Sequence, residues 1–210
     1  MDMPSLLALA GALGWASGFR LYAVVFVTGA MGAAGWIALP PDLRLLMHPA
    51  VLTASGFMMM VEFFADKIPW VDSLWDTVHS VIRIPAGALL AAGVFGADSA
   101  SMGLVAGLLG GSLAATSFAT KATTRAAINT SPEPFSNWLA SLFEDGLAVG
   151  VMWLATQHPL LFGVALAVML GVSVLLLVLL FKFLKIVLGK LKGLVGNHRA
   201  EPGGAAGSIH

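Results

Sequence analysis

Long apolar runs separated by short polar punctuation divide the chain into six segments, at about residues 5–38, 48–66, 78–97, 100–129, 133–156 and 158–190. A helix needs roughly 20 apolar residues to cross a bilayer, so all six are read as membrane segments. The punctuation carries helix-start chemistry: His48-Pro49, Ser131-Pro132-Glu133-Pro134 and His158-Pro159 each place proline at an N-terminal turn, where its missing N–H costs nothing. Pro85 and Gly87 lie near the beginning of the third segment. The first segment exceeds one simple crossing and is interrupted by Ser17-Gly18-Phe19-Arg20. It reads as one long tilted helix or as two half-helices broken at Gly18. The expected fold is an all-α polytopic transmembrane bundle of six spans, or seven if the first segment crosses twice. One membrane domain covers residues 1–199, and the small, polar residues 200–210, with Gly203, Gly204 and Gly207, read as a disordered tail.

Basic residues orient the bundle. The last segment leads into Lys182, Lys185, Lys190, Lys192 and Arg199, which predict a cytoplasmic C-terminus. With six crossings, the connection holding Lys67 and Arg83 and the one holding Lys121 and Arg125 fall on the same side, leaving Arg44 outside and Arg20 within the first segment. A weak internal repeat runs through the same segments: Ala8-Leu9-Ala10-Gly11-Ala12-Leu13-Gly14 echoes Leu104-Val105-Ala106-Gly107-Leu108-Leu109-Gly110, and His79 stands in its half as His158 does in the other. Three segments per repeat, about 5–97 and 100–190, would put the halves in opposite orientations, with the first helix of each broken or kinked and a site between the halves near the bilayer midplane.

Composition agrees with the pattern. Of 210 residues 58% are hydrophobic and 10% charged, and mean hydropathy is +0.90. A soluble domain carries about 25% charged residues. A net charge of zero gives no electrostatic footprint for a nucleic-acid partner, and the absence of cysteine removes disulfide and thiol chemistry. The N-terminus lacks a basic region, so the first run is read as retained in the membrane and not as a signal peptide.

With so few charges, those inside apolar segments become the candidate chemistry. Glu144 and Asp145 lie ten and eleven residues past Pro134. That depth is about 15 Å at 1.5 Å per residue, near the middle of a ~30 Å hydrocarbon layer. A charge there costs roughly 2.5–3.5 kcal/mol on insertion scales, so such acids face a cavity or are neutralised, here by Arg20, Lys121 or Arg125. Glu62 and Asp66 are four apart and share a helical face. Glu62, flanked by Val61, Phe63 and Phe64, reads as a desolvated proton carrier, and Glu62 with Glu144 offers oxygen ligands for a hard divalent metal ion. Lys67, Asp72, Trp70 and Trp75 read as membrane-surface markers. Arg20 at the helix interruption, and Lys121 and Arg125 on one face beside Thr120, Thr123 and Thr124, either hold an anionic substrate or pair with these acids. Asn129-Thr130-Ser131 matches a glycosylation sequon but reads as a helix cap. Gly14 and Gly18, and Gly103, Gly107 and Gly111, form small faces for close helix packing, within the chain or at a homo-oligomer interface. His48, His79 and His158 read as surface or capping histidines. No nucleophile elbow, phosphate loop, zinc helix or dinucleotide fingerprint occurs, which argues against an enzyme and calls for no cofactor.

Two strings, Val61-Glu62-Phe63-Phe64-Ala65-Asp66-Lys67-Ile68-Pro69-Trp70-Val71-Asp72 and Ala119-Thr120-Lys121 through Arg125 to Asn129-Thr130-Ser131-Pro132-Glu133-Pro134, together with Glu144-Asp145-Gly146, resemble the bacterial membrane-protein family catalogued as domain of unknown function 4126. The resemblance covers roughly residues 5–190 and implies a bacterial inner-membrane protein without implying an activity. A looser likeness is to inverted-repeat cation/proton exchangers related to the lysine exporter superfamily, whose halves each carry an acidic motif ending Asp-Lys. This chain departs from them: no glycine precedes Asp66, and Glu144-Asp145 is followed by Gly146 with no lysine. The leading expectation is a proton- or cation-coupled transporter acting on a small ion or solute, with the bilayer as its surroundings. The alternatives are a channel or lipid-handling protein that grips an anionic head group through Arg20, Lys121 and Arg125, and a non-transporting scaffold.

Overall fold

In a computed structural model, residues 1–96, 99–129 and 134–197 are described. They form α1 (Met3–Ala33), a 3-10 helix (Pro41–Met47), α2 (Pro49–Ala65), α3 (Pro69–Gly93), α4 (Ala100–Ile128), α5 (Pro134–Gln157) and α6 (Pro159–Asn197). The start signals hold where they are described. Asp2 caps α1, its carboxylate accepting from the Ser5 N–H at 3.1 Å, and His48 caps α2, Nδ1 accepting from the Ala50 N–H at 3.2 Å. The tail from residue 200 and the residues Thr130 to Glu133 lie outside the described residues, as do the side chains of Trp70, Lys190 and Lys192 and the whole of Arg199.

The chain is an all-α, polytopic bundle built around α1. Every residue from 8 to 21 is buried, as a helix apolar on all sides must be. α1 packs on the 3-10 helix and on all five other α-helices, while α3 and α4 pack on each other. α6 is its opposite: Leu160, Val164, Val168, Val174 and Leu175 are each more than half exposed, an apolar face suited to lipid.

Helix boundaries differ from expectation most at α3. It begins at Pro69, not near residue 78, so Asp72, Trp75 and Asp76 lie on helix and not on a surface connection. The span count also changes. Among the described residues four helices, α1, α4, α5 and α6, are long and apolar enough to cross a membrane, with a fifth span if the 3-10 helix and α2, bent by 66°, count as one. α3 falls short because Asp76, His79, Ser80 and Arg83 dilute its apolar run.

The first segment is one helix, interrupted two residues beyond Gly18, at Arg20, whose φ/ψ of −145°/71° leaves the helical region inside α1. α4, the first helix of the second half, carries no such break among the described residues. Just before the break, α1 and α4 touch backbone to backbone. A Cβ on Gly14 would lie 2.6 Å from Gly110 Cα, and one on Gly18 would lie 2.2 Å from the Ala114 carbonyl oxygen. Ser117 seals the crossing by donating to the Trp15 carbonyl at 2.6 Å. Gly107 and Gly111 face α3 instead, against Ala88. These glycines thus pack helices within one chain.

Candidate functional site

The interruption at Arg20 turns a guanidinium into the middle of the bundle, and the charges of four other helices gather round it. Arg20 Nη1 lies 2.5 Å from Asp66 Oδ2, Nε lies 3.0 Å from Asp145 Oδ1, and Nη2 donates to Ser141 Oγ at 2.8 Å. Asp66 sits at the C-terminal cap of α2, so the α2–α3 turn delivers it to the break. Lys121 and Arg125, one turn apart on α4, come from the opposite side. Lys121 Nζ reaches Asp76 Oδ1 at 3.1 Å, Asp66 Oδ2 at 3.5 Å and Glu144 Oε2 at 3.6 Å, and it donates to the Phe19 carbonyl at 3.4 Å.

Two ion pairs are complete. Arg125 forks onto Glu144, Nε to Oε1 and Nη2 to Oε2, both at 3.1 Å, and its Nη1 donates to the Asn137 carbonyl and side-chain oxygens at 3.1 Å. This planar, two-bond match is the geometry arginine holds best. Asn137 donates onward to Asn129 Oδ1 at 2.9 Å, placing Asn129 at the rim, where it also caps the C-terminal end of α4. Arg83, fully buried, bonds Glu62 Oε1 through Nη2 and Asp76 Oδ1 through Nη1, the latter at 2.6 Å.

All the expected site residues therefore meet in one network: Arg20, Asp66, Lys121, Arg125, Glu144 and Asp145 directly, Glu62 through Arg83 and Asp76, and Asn129 through Asn137. Glu62 and Glu144 are held by different arginines. Three residues were misread from the sequence. Arg83 was assigned to a cytoplasmic connection and is the buried partner of Glu62. Asp72, read as a surface marker, is 0% exposed. His79, read as a surface histidine, is buried within α3, with Nδ1 2.9 Å from the Trp75 carbonyl and its ring stacked on Trp75 at 4.0 Å. A signal was available: Asp72, Asp76, His79 and Arg83 are spaced four, three and four, a polar stripe along one helical face.

The exception in the network is Asp72. Neither of its oxygens has a hydrogen-bond partner, and the same is true of Asp66 Oδ1 and Glu62 Oε2. One oxygen from each of Asp66, Asp72 and Asp76 falls within 4.8 Å of the others. Asp72 stands in the first turn of α3, outside the helices long enough to span. Its burial is the main cause that pushes its carboxyl up to about 7, Arg125 opposing and the charges of Asp66 and Asp76 adding to the rise.

A cavity of about 250 Å³ borders the network between α1, α4, α5 and α6. Lys121 and Glu144 line one part of it with Thr120 and Thr124, and Trp15, Phe19, Phe143, Leu147 and Met169 line much of the rest. A larger groove of about 530 Å³, beside Tyr22, Ser55 and Met58, is shallow and apolar. Neither Glu62 nor Arg20 lines either space.

A family model described as Domain of unknown function (DUF4126) matches residues 7–179. The chain belongs to that family. The match takes in α1 to α5 and most of α6, so every charge of the network in this DUF4126 protein lies inside it. No curated protein and no solved structure matches the chain.

Proposed function

We propose that the protein is a membrane transporter of a small cation, a proton or a metal ion, in which the buried carboxylates supply the binding charge. One observation carries this reading. The interior network holds six acids, Glu62, Asp66, Asp72, Asp76, Glu144 and Asp145, against four cations, Arg20, Arg83, Lys121 and Arg125. An excess of acid over base in a largely desolvated place favours cations and disfavours anions. This sign argument sets aside the head-group reading, because Lys121 and Arg125 already face more acid than they can neutralise. The inverted repeat belongs to this proposal: α1 and α4 crossing at Gly14 and Gly110 supports it, and the unbroken α4 weighs against strict symmetry. So does the cytoplasmic C-terminus in a bacterial inner membrane, supported by Lys182 and Lys185 towards the end of the last apolar run.

A scaffold reading is favoured by a different observation, the pairing of Glu62 with Arg83 and of Glu144 with Arg125. Flux separates the two. Purified chain is placed in proteoliposomes carrying a pH-sensitive dye or a metal-sensitive dye. Transport predicts flux above empty vesicles that Asp66→Asn removes while the variant still inserts. No flux for protons or for any tested mono- or divalent ion leaves the scaffold.

A further inference from the structure

We propose that Asp66, Asp72 and Asp76 form a binding site for one hard divalent cation at the turn between α2 and α3. The three carboxylates each bring an oxygen within 4.8 Å of the others. A cation that bonds oxygen at about 2.3–2.6 Å spans two ligands up to about 5 Å apart, so little movement is needed. The donors are all carboxylate oxygens, with no thiolate or imidazole among the three, which selects a Ca²⁺-, Mg²⁺- or Mn²⁺-like ion.

The second observation is Asp72 itself. It is 0% exposed and neither oxygen is bonded to anything, while Asp66 turns its own unbonded Oδ1 to the interior. Buried polar groups are rarely left unsatisfied, because a lost partner costs the full desolvation of the group. The cations of the network do not answer this need. Arg83 and Lys121 are spent on Asp76 Oδ1, and Arg20, Lys121 and Arg125 converge on Asp66 Oδ2. The charge count agrees in sign: five buried acids and the partly exposed Asp145 face four bases, so the network holds more acid than base. Asp66 closes α2 and Asp72 opens α3, so the bound ion would tie the two helices across Lys67 and Ile68.

This deepens the cation reading of the same cluster and rests on it only for the ion's purpose. Binding is measured in detergent, without flux, so either result can fail alone. Full-length chain stripped with EDTA is titrated with MnCl₂ at pH 7, and free Mn²⁺ is followed by electron paramagnetic resonance. One Mn²⁺ per chain is expected, displaced by Ca²⁺ or Mg²⁺ and accompanied by a rise in melting temperature. Asp72→Asn, which removes no hydrogen bond, is expected to weaken binding by at least about tenfold, a loss that even outer partners of metal ligands produce. Asp42→Asn on the exposed 3-10 helix is expected to bind as the unaltered chain does. No saturable Mn²⁺ binding up to roughly 1 mM, the weak end of carboxylate sites, overturns the proposal. So does binding that Asp72→Asn leaves unchanged.

Discussion

Glu62 and Asp72 sit ten residues apart in sequence and are both buried, yet their surroundings are opposite. Glu62 is bonded to Arg83, which also holds Asp76. Neither oxygen of Asp72 has a hydrogen-bond partner. A paired acid in an apolar bundle holds helices in register, because removing either partner strands a charge. An unpaired acid holds nothing. It is retained against its desolvation cost, and so it marks the place where something from outside, a proton or an ion, completes the structure. The interior of this bundle is thus made of two kinds of carboxylate that the sequence alone does not separate.

The largest effect should come from breaking the paired kind. Arg83→Met strands Glu62 and leaves Asp76 with Lys121 alone, and breaking a buried pair from one side costs about 3–5 kcal/mol. A large drop in thermal midpoint in detergent is expected, with much of it recovered in the double variant Arg83→Met/Glu62→Gln. A single variant as stable as the unaltered chain would show that the pair carries no structural weight. Next in size is the crossing that presses α1 onto α4. Gly18→Val puts methyl groups against Ser117 and the Ala114 carbonyl, which cannot move aside as a flexible side chain would. Overpacking of this kind costs about 1–3 kcal/mol. The displaced α1 should also loosen Arg20, seen as a lower melting midpoint.

How much of this was legible follows from the same contrast. Depth within an apolar run is a one-dimensional property, so Glu144 at ten residues past Pro134 was readable as an interior acid, and Lys121 and Arg125 at a spacing of four were readable as one face. The break at Arg20 was readable from Ser17-Gly18 beside a charge. α3 was not, because its polar stripe lowers the hydropathy on which a span is recognised. The residues that make α3 polar are the ones that hide it as a membrane helix, and Arg83 falls in a cytoplasmic connection by the rule that places basic residues on the cytoplasmic face. Pairing across helices, as of Glu62 with Arg83, depends on tertiary contact and leaves no trace in spacing.

The unpaired kind predicts a smaller effect of the opposite sign. Asp72 ionises near 7 when folded and about 3.9 when unfolded, so between these values the folded state binds the extra proton. Its share of stability is fully present below about pH 3.9 and is lost as pH rises towards 7. In the absence of divalent cation, the melting midpoint of Asp72→Asn should fall less from pH 4.5 to 7 than that of the unaltered chain, and it should be the more stable of the two at pH 7. A midpoint lower than that of the unaltered chain at every pH would place Asp72 among the paired acids.

The smallest effect should belong to the acid that stands between the two kinds. Asp145 meets Arg20 at 3.0 Å, but its side chain is 28% exposed, against 6% for Glu144. Asp145 is only partly enclosed, so neutralising it leaves less charge stranded among buried groups than at Glu144. Arg20 also keeps Asp66 and Ser141 when Asp145 is neutralised. Asp145→Asn should therefore cost at most about 1 kcal/mol, the range of an exposed pair, whereas Glu144→Gln strands the forked Arg125 and should cost several times more. Denaturant midpoints of the two variants, measured side by side, read the difference directly. Equal losses would mean that the network acts as one body of charge, and that the distinction between held and unheld carboxylates describes positions without describing energies.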